Sequence, residues 1–460
     1  MTRYRWFVLI ALIAVAHGIF FIWYQQPDWH TTFWPDQVGY RQLGQALAET
    51  GKFTKFPDSP DFAPEVVRTP AYPLFLAAIY KVAGVRQLPV AIAQTGLFVL
   101  ICLLAFGIAR RVSTDRVAFG AALCVALFPP IPYFGALVMT EVWTTFLFTL
   151  SIWLVLRAFE SSRAPSFAAA GVALGLTTLS RPVFVLFPLA LAAVGVIVFP
   201  MARVARRPRL SHWAALVGAF AITMLPWFAY NYVNFGQFTL SPAGGVGRGL
   251  WEGQWQATWS GRLQNELTKI AEATDNRAEL DQKIGAVAAR ERLPAAPMLD
   301  YVHQWQDIRR IWTTPTDPRE FTTARVAADQ EYRRVAIENL RKDSISHLTR
   351  RLARGVFLLW AGDLPIRFSE INDLPETVKW LIWAVQAAIG LLAVAGFVIL
   401  YRAGRKAEAL LLGSVIVYVT AVHFLLLTEA RQSLPAKPAL LVLAWLSLAF
   451  KPQVHEREHL

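Results

Sequence analysis

The chain has 460 residues, of which 55% are hydrophobic and 17% charged, and its mean hydropathy is +0.38. So much apolar side chain with so little charge excludes an ordinary soluble globular domain and a disordered chain. The formal net charge is +13, but the basic residues separate apolar runs and do not form one patch, so nucleic-acid binding is disfavoured. Cys102 and Cys124 each lie inside an apolar run, and we interpret them as small core residues.

Ten apolar stretches are predicted to cross a bilayer, whose hydrocarbon core of roughly 30 Å takes about 20 helical residues. They are residues 6–24, 87–109, 117–156 (two helices), 164–180, 182–202, 211–230, 380–401, 409–428 and 434–450. Pro129, Pro130 and Pro132 divide the stretch 117–156, because proline interrupts a helix. The first stretch lacks a small-residue cleavage site, so we interpret it as a retained helix.

The basic residues of the short loops predict the orientation. The positive-inside rule places the loops richest in Lys and Arg in the cytoplasm. With ten spans, these loops all fall on one side of the membrane, at residues 3–5, 110–116, 157–163, 203–209 and 402–406. Both termini are then cytoplasmic. The short connections on the other face carry only Arg181, Arg431 and Lys437.

The long polar segments consequently fall on the outer face. The predicted organisation is a membrane module at residues 1–230 that includes the outer loop 25–86, a helical outer-face segment at 231–376, and a second membrane module at 377–460. Within the outer loop, residues 38–50 and 72–82 are predicted as helices that lie in the membrane interface, since the first is amphipathic and the second too short to span.

The outer-face segment has a helical pattern. The run 328–360 has no Gly or Pro until Gly355. It places four apolar side chains near one helical face. They are Tyr332, Ala336, Leu340 and Ile345.

Three tryptophans recur every four residues near the start of the same segment, at Trp251, Trp255 and Trp259. On a helix they share a face. Such a face is suited to stacking against sugars or to an aromatic belt at the membrane surface, and the belt is the favoured interpretation.

The predicted spans contain almost no ionisable residues in their interiors, the exceptions being His17, Glu141 and His423. Ion-coupled carriers usually place charged groups near the middle of the membrane, so a transporter is disfavoured. The outer ends of the spans and the outer loops hold the ionisable residues instead: Asp36, Arg68, Glu141, Arg181, Arg248, Glu429 and Arg431. Arginine forks bind phosphate oxygens and a carboxylate accepts a proton from an attacking hydroxyl, so this set suits a reaction on a membrane-held phosphate.

Each of these residues also has a structural alternative. Asp36 precedes an amphipathic stretch and is suited to capping its helix. Glu141 at the start of a span complements the helix dipole. Arg181 is able to extend toward lipid headgroups, and Glu429 and Arg431 to pair with each other at the surface.

The order of several motifs along the chain is more informative. WPDQVGYRQLGQALAETGKF, RTPAYPLFLAAIYKVAG, MTEVWTTF, GVALGLTTLSRPVFVLFPL, LPWFAYNYVNFGQF with SPAGGVGRGLWEG, and TEARQSLPAKPALLVLA follow one another. This ordered set resembles the bacterial polytopic glycosyltransferases of the GT-C fold, relatives of the protein O-mannosyltransferases and of the lipid A aminoarabinose transferase. The resemblance implies an all-α membrane bundle of about ten helices, with interfacial helices in the first outer loop and a helical outer-face segment between spans 7 and 8.

The same resemblance implies a monosaccharide donor linked through phosphate to a polyprenyl chain. Transfer to an acceptor hydroxyl is expected on the non-cytoplasmic face of the bacterial inner membrane, with inversion at the anomeric carbon. In this resemblance Asp36 is the general base or the group that orients the acceptor, and Arg68, Tyr72, Arg181 and Arg431 line up with family motifs near the donor phosphate. Glu141 is the second candidate catalytic residue and Arg248 a further candidate for the donor phosphate. The candidates for substrate binding are Tyr40, Tyr72, Glu429 and Trp251. No cofactor is expected to be required, a divalent cation being the less favoured alternative.

The chain also departs from its relatives. Protein O-mannosyltransferases carry an Asp-Glu pair in the first loop, whereas Asp36 is followed here by Gln37. This argues against that subfamily and against a protein acceptor by simple transfer, although lipid, glycan and protein acceptors all stay open. The sequence ends about ten residues after the tenth predicted span, so no soluble domain like that of the aminoarabinose transferase is expected.

Two other classes of function are weighed against the enzyme. A lipid or lipid-linked glycan transporter requires an internal repeat and polar groups within the spans, and the sequence has neither. A non-catalytic scaffold for envelope assembly requires a helix-packing face, for which the GVALG motif with Gly171 and Gly175 is the candidate.

Overall fold

A computed structural model describes residues 3–25, 35–204, 207–367, 371 and 373–450. Throughout these residues the regular elements are helices, with no strand, so the predicted all-α fold class is confirmed. A helix pairs the backbone N–H and C=O groups within its own segment, which is what a chain surrounded by hydrocarbon requires.

Up to residue 235, the residues that the structure describes form eleven α-helices. They are α1 (Arg3–Gln25), α2 (Pro35–Thr50), α3 (Ala71–Ala83), α4 (Gln87–Arg110), α5 (Asp115–Ala126), α6 (Pro130–Gly135), α7 (Glu141–Ser161), α8 (Ala164–Thr178), α9 (Phe187–Ala193), α10 (Phe199–Met201) and α11 (Leu210–Phe235). The prolines at 129–132 separate α5 from α7, as predicted, and α6 lies between them. The predicted helices in the first outer loop are confirmed as α2 and α3.

Among the described residues, seven helical segments are long and apolar enough to cross a membrane: Tyr4–Gln25, Gln87–Arg110, Glu141–Ser161, Pro182–Met201, Leu210–Phe235, Glu376–Arg402 and Lys406–His423. The other three predicted spans coincide with the shorter helices α5, α8 and α20 (Lys437–Ala449), which have 12, 15 and 13 residues. The chain is a membrane protein, and the count of ten spans stays a prediction.

The helices place the basic loops at one end of the bundle and Glu141, at the start of α7, at the other end. At one end the chain passes from α4 to α5 and from α7 to α8, and there Arg111 pairs with Glu160 at 2.5 Å. Lys406, at the start of α19 (Lys406–His423), donates to the carbonyl oxygen of Ala202 at the same end. The other end holds the starts of α4 and α7 and the end of α8, where Trp143 donates to Ser180.

The segment that is predicted to lie on the outer face, and that we call the outer-face segment, has five helices among its described residues, and a sixth leads toward the next membrane helix. They are α12 (Val246–Gln256), α13 (Gly261–Ala273), α14 (Arg277–Glu291), α15 (Ala295–Thr313), α16 (Pro318–Lys342) and α17 (Ile345–Trp360). Helices α12 to α16 enclose a hydrophobic core of their own that is separate from the core of the membrane helices. The chain then continues into α18 (Glu376–Arg402).

The three regularly spaced tryptophans belong to that separate core. Trp251, Trp255 and Trp259 are 1%, 5% and 6% exposed, and all three contact Tyr301. The favoured belt interpretation is therefore wrong, and these rings are not available to stack against a sugar either. The four-residue spacing correctly predicted that the three side chains share one side. It did not predict that neighbouring helices bury them.

The run 328–360 is not one continuous helical face. Tyr332 and Ala336 are both buried on α16, but α16 ends at Lys342 and Ile345 is 84% exposed, so Ile345 does not continue the predicted face. The reason is a new helix start, because the side chain of Ser344 accepts from the backbone N–H of His347 and caps α17.

Small residues let two membrane helices approach closely. A Cβ atom at Gly171 on α8 would stand 2.1 Å from the carbonyl oxygen of Leu216 on α11, and one at Gly175 would stand 2.7 Å from the side chain of Thr223. The GVALG motif therefore packs inside the protein, which agrees with internal packing rather than with a scaffold surface.

Replacing Gly171 with alanine is expected to destabilise the protein by roughly 1–3 kcal/mol, because the added methyl meets backbone that has no room to move. The matched control is Gly218→Ala on α11, where a Cβ meets nothing within 4 Å and the higher helix propensity of alanine leaves stability unchanged or slightly raised. Thermal unfolding in detergent measures both. Equal midpoints for the two variants would contradict the close approach of α8 and α11.

Candidate functional site

The carboxylate of Asp36 lies between two arginine side chains. Arg68 donates from Nη2 to Oδ1 at 3.1 Å, and Arg431 donates from Nη1 and Nη2 to Oδ2 at 3.2 Å each. Asp36 is the second residue of α2, and its described hydrogen bonds come from guanidinium groups rather than from the backbone of that helix. Its side chain is 42% exposed. The arrangement is that of a held and accessible carboxylate, not of a helix cap.

Two opposing effects set the acidity of Asp36. Partial burial raises the pKa of this carboxyl. The guanidinium groups of Arg431 and Arg68 together lower it by more, so the pKa lies below its ordinary value of 3.8. Asp36 is consequently ionised at neutral pH and accepts protons only weakly while both arginines remain on it.

Arg431 joins three carboxylates. Besides Asp36, it donates from Nε to Glu429 at 2.7 Å and from Nη1 to Glu141 at 3.4 Å. It lies in a short 3₁₀ turn, Ala430–Ala436, just before α20. The three neighbouring carboxylates outweigh the cost of burial and raise the pKa of Arg431 above its ordinary value. Its positive charge is therefore permanent.

Glu141 is the most buried member of the cluster, with a fully buried side chain. It begins α7, where the helix dipole favours a negative charge. Arg181 donates from Nη2 to its Oε1 at 2.5 Å and from Nε to the hydroxyl of Thr140 at 3.1 Å. A buried carboxylate requires such partners. Arg181 is thus fixed in the cluster rather than extended toward lipid.

Two tyrosines support Arg68 from the side. The guanidinium of Arg68 lies 4.8 Å from the ring centre of Tyr40, and the ring of Tyr40 meets that of Tyr72 edge to face at 5.2 Å. Burial raises the pKa of both phenols, so both are neutral donors. Tyr72 has no exposed surface, and its hydroxyl donates to Gln94. Tyr72 therefore supports Tyr40 from behind and does not line an open site.

The approach of Arg68 to α2 requires a glycine. A Cβ atom at Gly39 would stand 2.6 Å from the Arg68 guanidinium. Because Gly39 has no side chain, the Arg68 guanidinium is able to lie close to α2 and reach Asp36, which lies about one helical turn before Gly39.

Sequence reasoning missed a buried acid that orients Arg68. Glu65 is 5% exposed and accepts from the backbone N–H groups of Val67 and Arg68 at 2.9 and 3.1 Å. Lys55 pairs with its other oxygen at 3.3 Å. An acidic residue three positions before an arginine in PEVVR was the available signal.

The outer-face segment is hydrogen-bonded to the loop that leads into Glu429 and Arg431. The side chain of Gln256 on α12 exchanges two hydrogen bonds with the backbone of Thr428, at 2.7 and 2.9 Å. Leu427 donates to the carbonyl oxygen of Gly249 at 2.7 Å. These hydrogen bonds satisfy backbone groups of Leu427 and Thr428. Helix α12 therefore fixes the position at which the turn with Arg431 begins.

Two of the predicted site residues lie apart from this cluster. Arg248 pairs with Glu252 on α12 at 2.8 Å, and Trp251 lies in the core of the outer-face segment, where it donates to Gln304. A donor-phosphate role for Arg248 beside Asp36 and a substrate-binding role for Trp251 do not fit these positions. The structure brings together the other eight: Asp36, Tyr40, Arg68, Tyr72, Glu141, Arg181, Glu429 and Arg431.

The cluster is suited to handling an anion and a proton together. Arg68, Arg181 and Arg431 are 11%, 16% and 18% exposed, so their charges lie near the surface but away from bulk water. Guanidinium groups have five N–H donors in a planar fork that matches phosphate oxygens. Within the described residues, no group of three or more His, Cys, Asp or Glu side chains is placed to hold a metal ion; the absence of a cofactor stays a prediction.

Part of this site lies in a stretch with a recognisable family pattern. The family model of the dolichyl-phosphate-mannose-protein mannosyltransferases matches residues 67–229, which include Arg68, Glu141 and Arg181. Among curated proteins, no sequence relative matches the chain.

Solved structures show the fold. The archaeal oligosaccharyltransferase AglB from Archaeoglobus fulgidus, in complex with an inhibitory peptide and a dolichol-phosphate, superposes with a TM-score of 0.53 and 15% identity over 96% of this chain and 50% of that one. Its apo form gives 0.52 and 16% over 97% and 50%. ArnT from Cupriavidus metallidurans bound to undecaprenyl phosphate superposes less closely, with a TM-score of 0.43, 15% identity, and coverage of 96% and 78%.

The superposition with AglB confirms the GT-C fold that the ordered motifs resemble. The chain spans about half the length of AglB, so the likeness concerns the fold and not the activity of the whole archaeal enzyme.

The ion pairs of Asp36 predict how stability depends on pH. Since the pKa of Asp36 is lower in the folded protein than its ordinary 3.8, its contribution is fully present above about pH 4 and is lost as the pH falls through the folded pKa. Asp36→Asn is expected to lower the thermal midpoint by about 1–3 °C at pH 7 and at pH 5 alike, with a smaller gap only in stronger acid. Thermal scans of the two proteins in detergent measure the gap. A gap that already closes between pH 7 and pH 5 would contradict the lowered pKa.

Proposed function

We propose that this protein is a membrane glycosyltransferase that moves a monosaccharide from a polyprenyl-phosphate donor to an acceptor hydroxyl, with inversion at the anomeric carbon. The observation that carries the proposal is the accessible carboxylate of Asp36 between the guanidinium groups of Arg68 and Arg431. A proton acceptor and a phosphate-binding pair are thereby placed next to each other at one end of the membrane helices.

The position of the cluster suits a donor held by a lipid chain. Glu141 begins the membrane helix α7, and Arg181 follows α8, so both lie where a bilayer passes into its headgroup layer. The phosphate of a polyprenyl donor lies at the same depth, because its hydrocarbon chain is held in the membrane. Arginine is the residue best suited to meet it there.

The arginines already hold their geometry before an anion arrives. Arg181 uses Nε and Nη2 for Thr140 and Glu141, which leaves the outer edge of its fork for a ligand. A phosphate that takes N–H donors from Arg68 or Arg431 weakens their hold on Asp36. The pKa of Asp36 then rises, and the carboxylate becomes a stronger base when the donor is bound.

The transfer step follows from these roles. The acceptor oxygen forms a bond to the anomeric carbon while the bond from that carbon to the phosphate oxygen breaks. The acceptor proton passes to the Asp36 carboxylate, and the electron pair of the broken bond leaves with polyprenyl phosphate. The guanidinium groups stabilise the charge that develops on the leaving oxygen. Attack opposite the leaving group inverts the anomeric configuration.

Glu141 acts in this proposal as a positioning residue. Its side chain is fully buried and receives Arg181 and Arg431, so it does not reach an acceptor hydroxyl. Its charge holds two phosphate-binding arginines in place. Asp36, which is 42% exposed, is the base.

Sequence and fold comparisons support the same class of reaction. The matching family model describes enzymes that use dolichyl-phosphate-mannose, and it covers Arg68, Glu141 and Arg181. The fold is shared with an oligosaccharyltransferase that was solved with a dolichol-phosphate. The positive-inside pattern adds the orientation: both termini in the cytoplasm of a bacterium, and the cluster on the outer face of the inner membrane.

Asp36→Asn is expected to lower donor consumption by about 10²–10⁴-fold, the range for loss of a general base. Release of polyprenyl phosphate in proteoliposomes measures this, with a panel of polyprenyl-phosphate monosaccharides as donors and an envelope extract as the acceptor source. The matched control is Asp58→Asn, which removes an exposed carboxylate from the same outer loop and is expected to leave the rate unchanged.

Equal rates for wild type and Asp36→Asn would exclude Asp36 as the base. If folded wild-type protein consumes no donor of the panel, the glycosyltransferase proposal fails, and a flux assay then separates a lipid transporter from a scaffold.

Chelation provides a second test. Because three arginines take the place of a metal in this proposal, EDTA is expected to leave the rate of donor consumption unchanged to within about twofold. A rate that collapses in EDTA and returns with added Mg²⁺ or Mn²⁺ would show that the arginines do not suffice.

A further inference from the structure

A cavity of about 320 Å³ opens in the outer-face part of the protein, next to the segment that carries Arg68. Its wall includes Val67, Arg248, Trp305, Trp312, Arg325 and Tyr332. The volume is at the lower end of the range for small-molecule sites, which begins at roughly 300 Å³. We call it the outer-face cavity.

Aromatic rings and guanidinium groups alternate along one wall of this cavity. Arg309 lies 4.7 Å from the ring centre of Trp305, and Arg325 lies 4.3 Å from that of Trp312. Both indoles are only partly buried, unlike the tryptophans of the neighbouring core. Flat aromatic faces beside hydrogen-bond donors are suited to the apolar face and the hydroxyls of a sugar ring.

Arg325 differs from the other basic residues of the cavity. Arg248 pairs with Glu252 at 2.8 Å and Arg309 with Glu272 at 3.5 Å. In the part of the chain that the structure describes, no carboxylate lies within 4.0 Å of the Arg325 guanidinium, which instead faces the ring of Trp312. A partly buried cation without a counterion is costly, and an anionic ligand removes that cost.

Neighbouring charges increase the attraction for an anion. Burial lowers the pKa of Arg325, and the positive charges of Arg248 and Arg68 lower it further, while Glu65 acts in the opposite sense. An arginine remains protonated at neutral pH nonetheless. Glu272 and Asp329 also line the cavity, so the positive charge is local to the Arg325 guanidinium and does not extend over the whole wall.

Arg325 also reaches a second, smaller space. A cavity of about 140 Å³ is lined by Lys55, Glu65, Val67, Phe321 and Arg325. Val67 and Arg325 thus border both cavities. Because Val67 directly precedes Arg68, the outer-face cavity shares a wall with the segment that holds the Asp36 cluster.

The backbone fixes this shared wall. The hydroxyl of Ser241 donates to the carbonyl oxygens of Val66 and Val67 at 3.0 and 2.5 Å, and Ala243 donates to Val66 at 2.9 Å. The turn that leads into α12 is thereby attached to the segment before Arg68. A ligand in the outer-face cavity is consequently held at a defined position relative to Asp36.

The geometry points to the outer-face cavity as a binding site for an anionic saccharide, with Arg325 as the partner of its negative group and Trp305 and Trp312 as stacking surfaces for its ring. This inference rests on the proposed glycosyltransferase function in one respect: the saccharide is then part of the acceptor. The chemistry that Arg325 selects is shared by a sugar carboxylate and a sugar phosphate.

Binding is tested on the full-length protein in detergent by saturation-transfer NMR with three probes: glucuronic acid, glucose 6-phosphate and glucose. The wild type is expected to bind at least one anionic probe about tenfold or more tightly than glucose, since a charge-assisted hydrogen bond exceeds a neutral one. Which anionic probe binds distinguishes a carboxylate from a phosphate. Arg325→Gln is expected to abolish the preference over glucose, whereas Arg319→Gln, an exposed arginine on the same helix, is expected to retain it.

Equal binding of all three probes, or a preference that survives in Arg325→Gln, would overturn the inference. Binding by Asp36→Asn is expected to equal that of the wild type, because Asp36 lies outside the cavity. The two assays therefore fail independently. Wild-type protein that prefers an anionic probe but consumes no donor contradicts only the glycosyltransferase proposal, whereas wild-type protein that consumes a donor but binds all three probes equally contradicts only the cavity inference.

Discussion

The ion pairs of Arg431 hold together parts of the chain that are far apart in sequence. One guanidinium contacts Asp36 in the first outer loop, Glu141 at the start of a membrane helix and Glu429 beside itself. Its contact with Asp36 joins residues 395 positions apart. The Arg431 side chain is only 18% exposed, and a largely buried charge requires such partners. The cluster therefore forms only when the first loop, α7 and the turn before α20 are all in place.

The need to pair backbone polar groups explains why the outer-face segment contacts the loop before Arg431. Gln256 and Gly249 of α12 bond the backbone of Thr428 and Leu427, which satisfies polar groups that have no helix of their own. Arg351 reaches from α17 to carbonyl oxygens of Leu250 and Leu425 and reinforces this contact. The outer-face helices thus shape the site from a distance without supplying a group to the Asp36 cluster.

The sequence predicts those parts of the structure that a simple physical constraint determines. Lipid requires long apolar helices, so the membrane segments are visible in composition, and a consistent loop charge places Asp36, Arg181 and Arg431 at one end. The ordered motifs add Arg68. What surrounds a side chain is not determined in this way. The spacing of Trp251 and its neighbours predicts a shared face, but the rings that cover Trp251 include Tyr301 and Tyr332, which belong to helices much later in the chain. Glu65 and Arg325 were missed for the same reason, since their importance comes from contacts that only the fold creates.

Two proposed anion-binding sites that lie next to each other pose an electrostatic problem that the segment before Arg68 solves. If the Asp36 cluster receives a phosphate and Arg325 receives the anion of an acceptor, the two negative ligands repel each other unless charge lies between them. Lys55, Glu65 and Arg68 occupy that position, where Glu65 forms ion pairs with Lys55 at 3.3 Å and with Arg68 at 4.0 Å and accepts hydrogen bonds from the backbone. Their net charge is positive, and their fixed geometry keeps Arg68 directed at Asp36 rather than at the cavity. Each anion therefore meets its own guanidinium, and a donor and a charged acceptor are able to occupy adjacent sites at the same time.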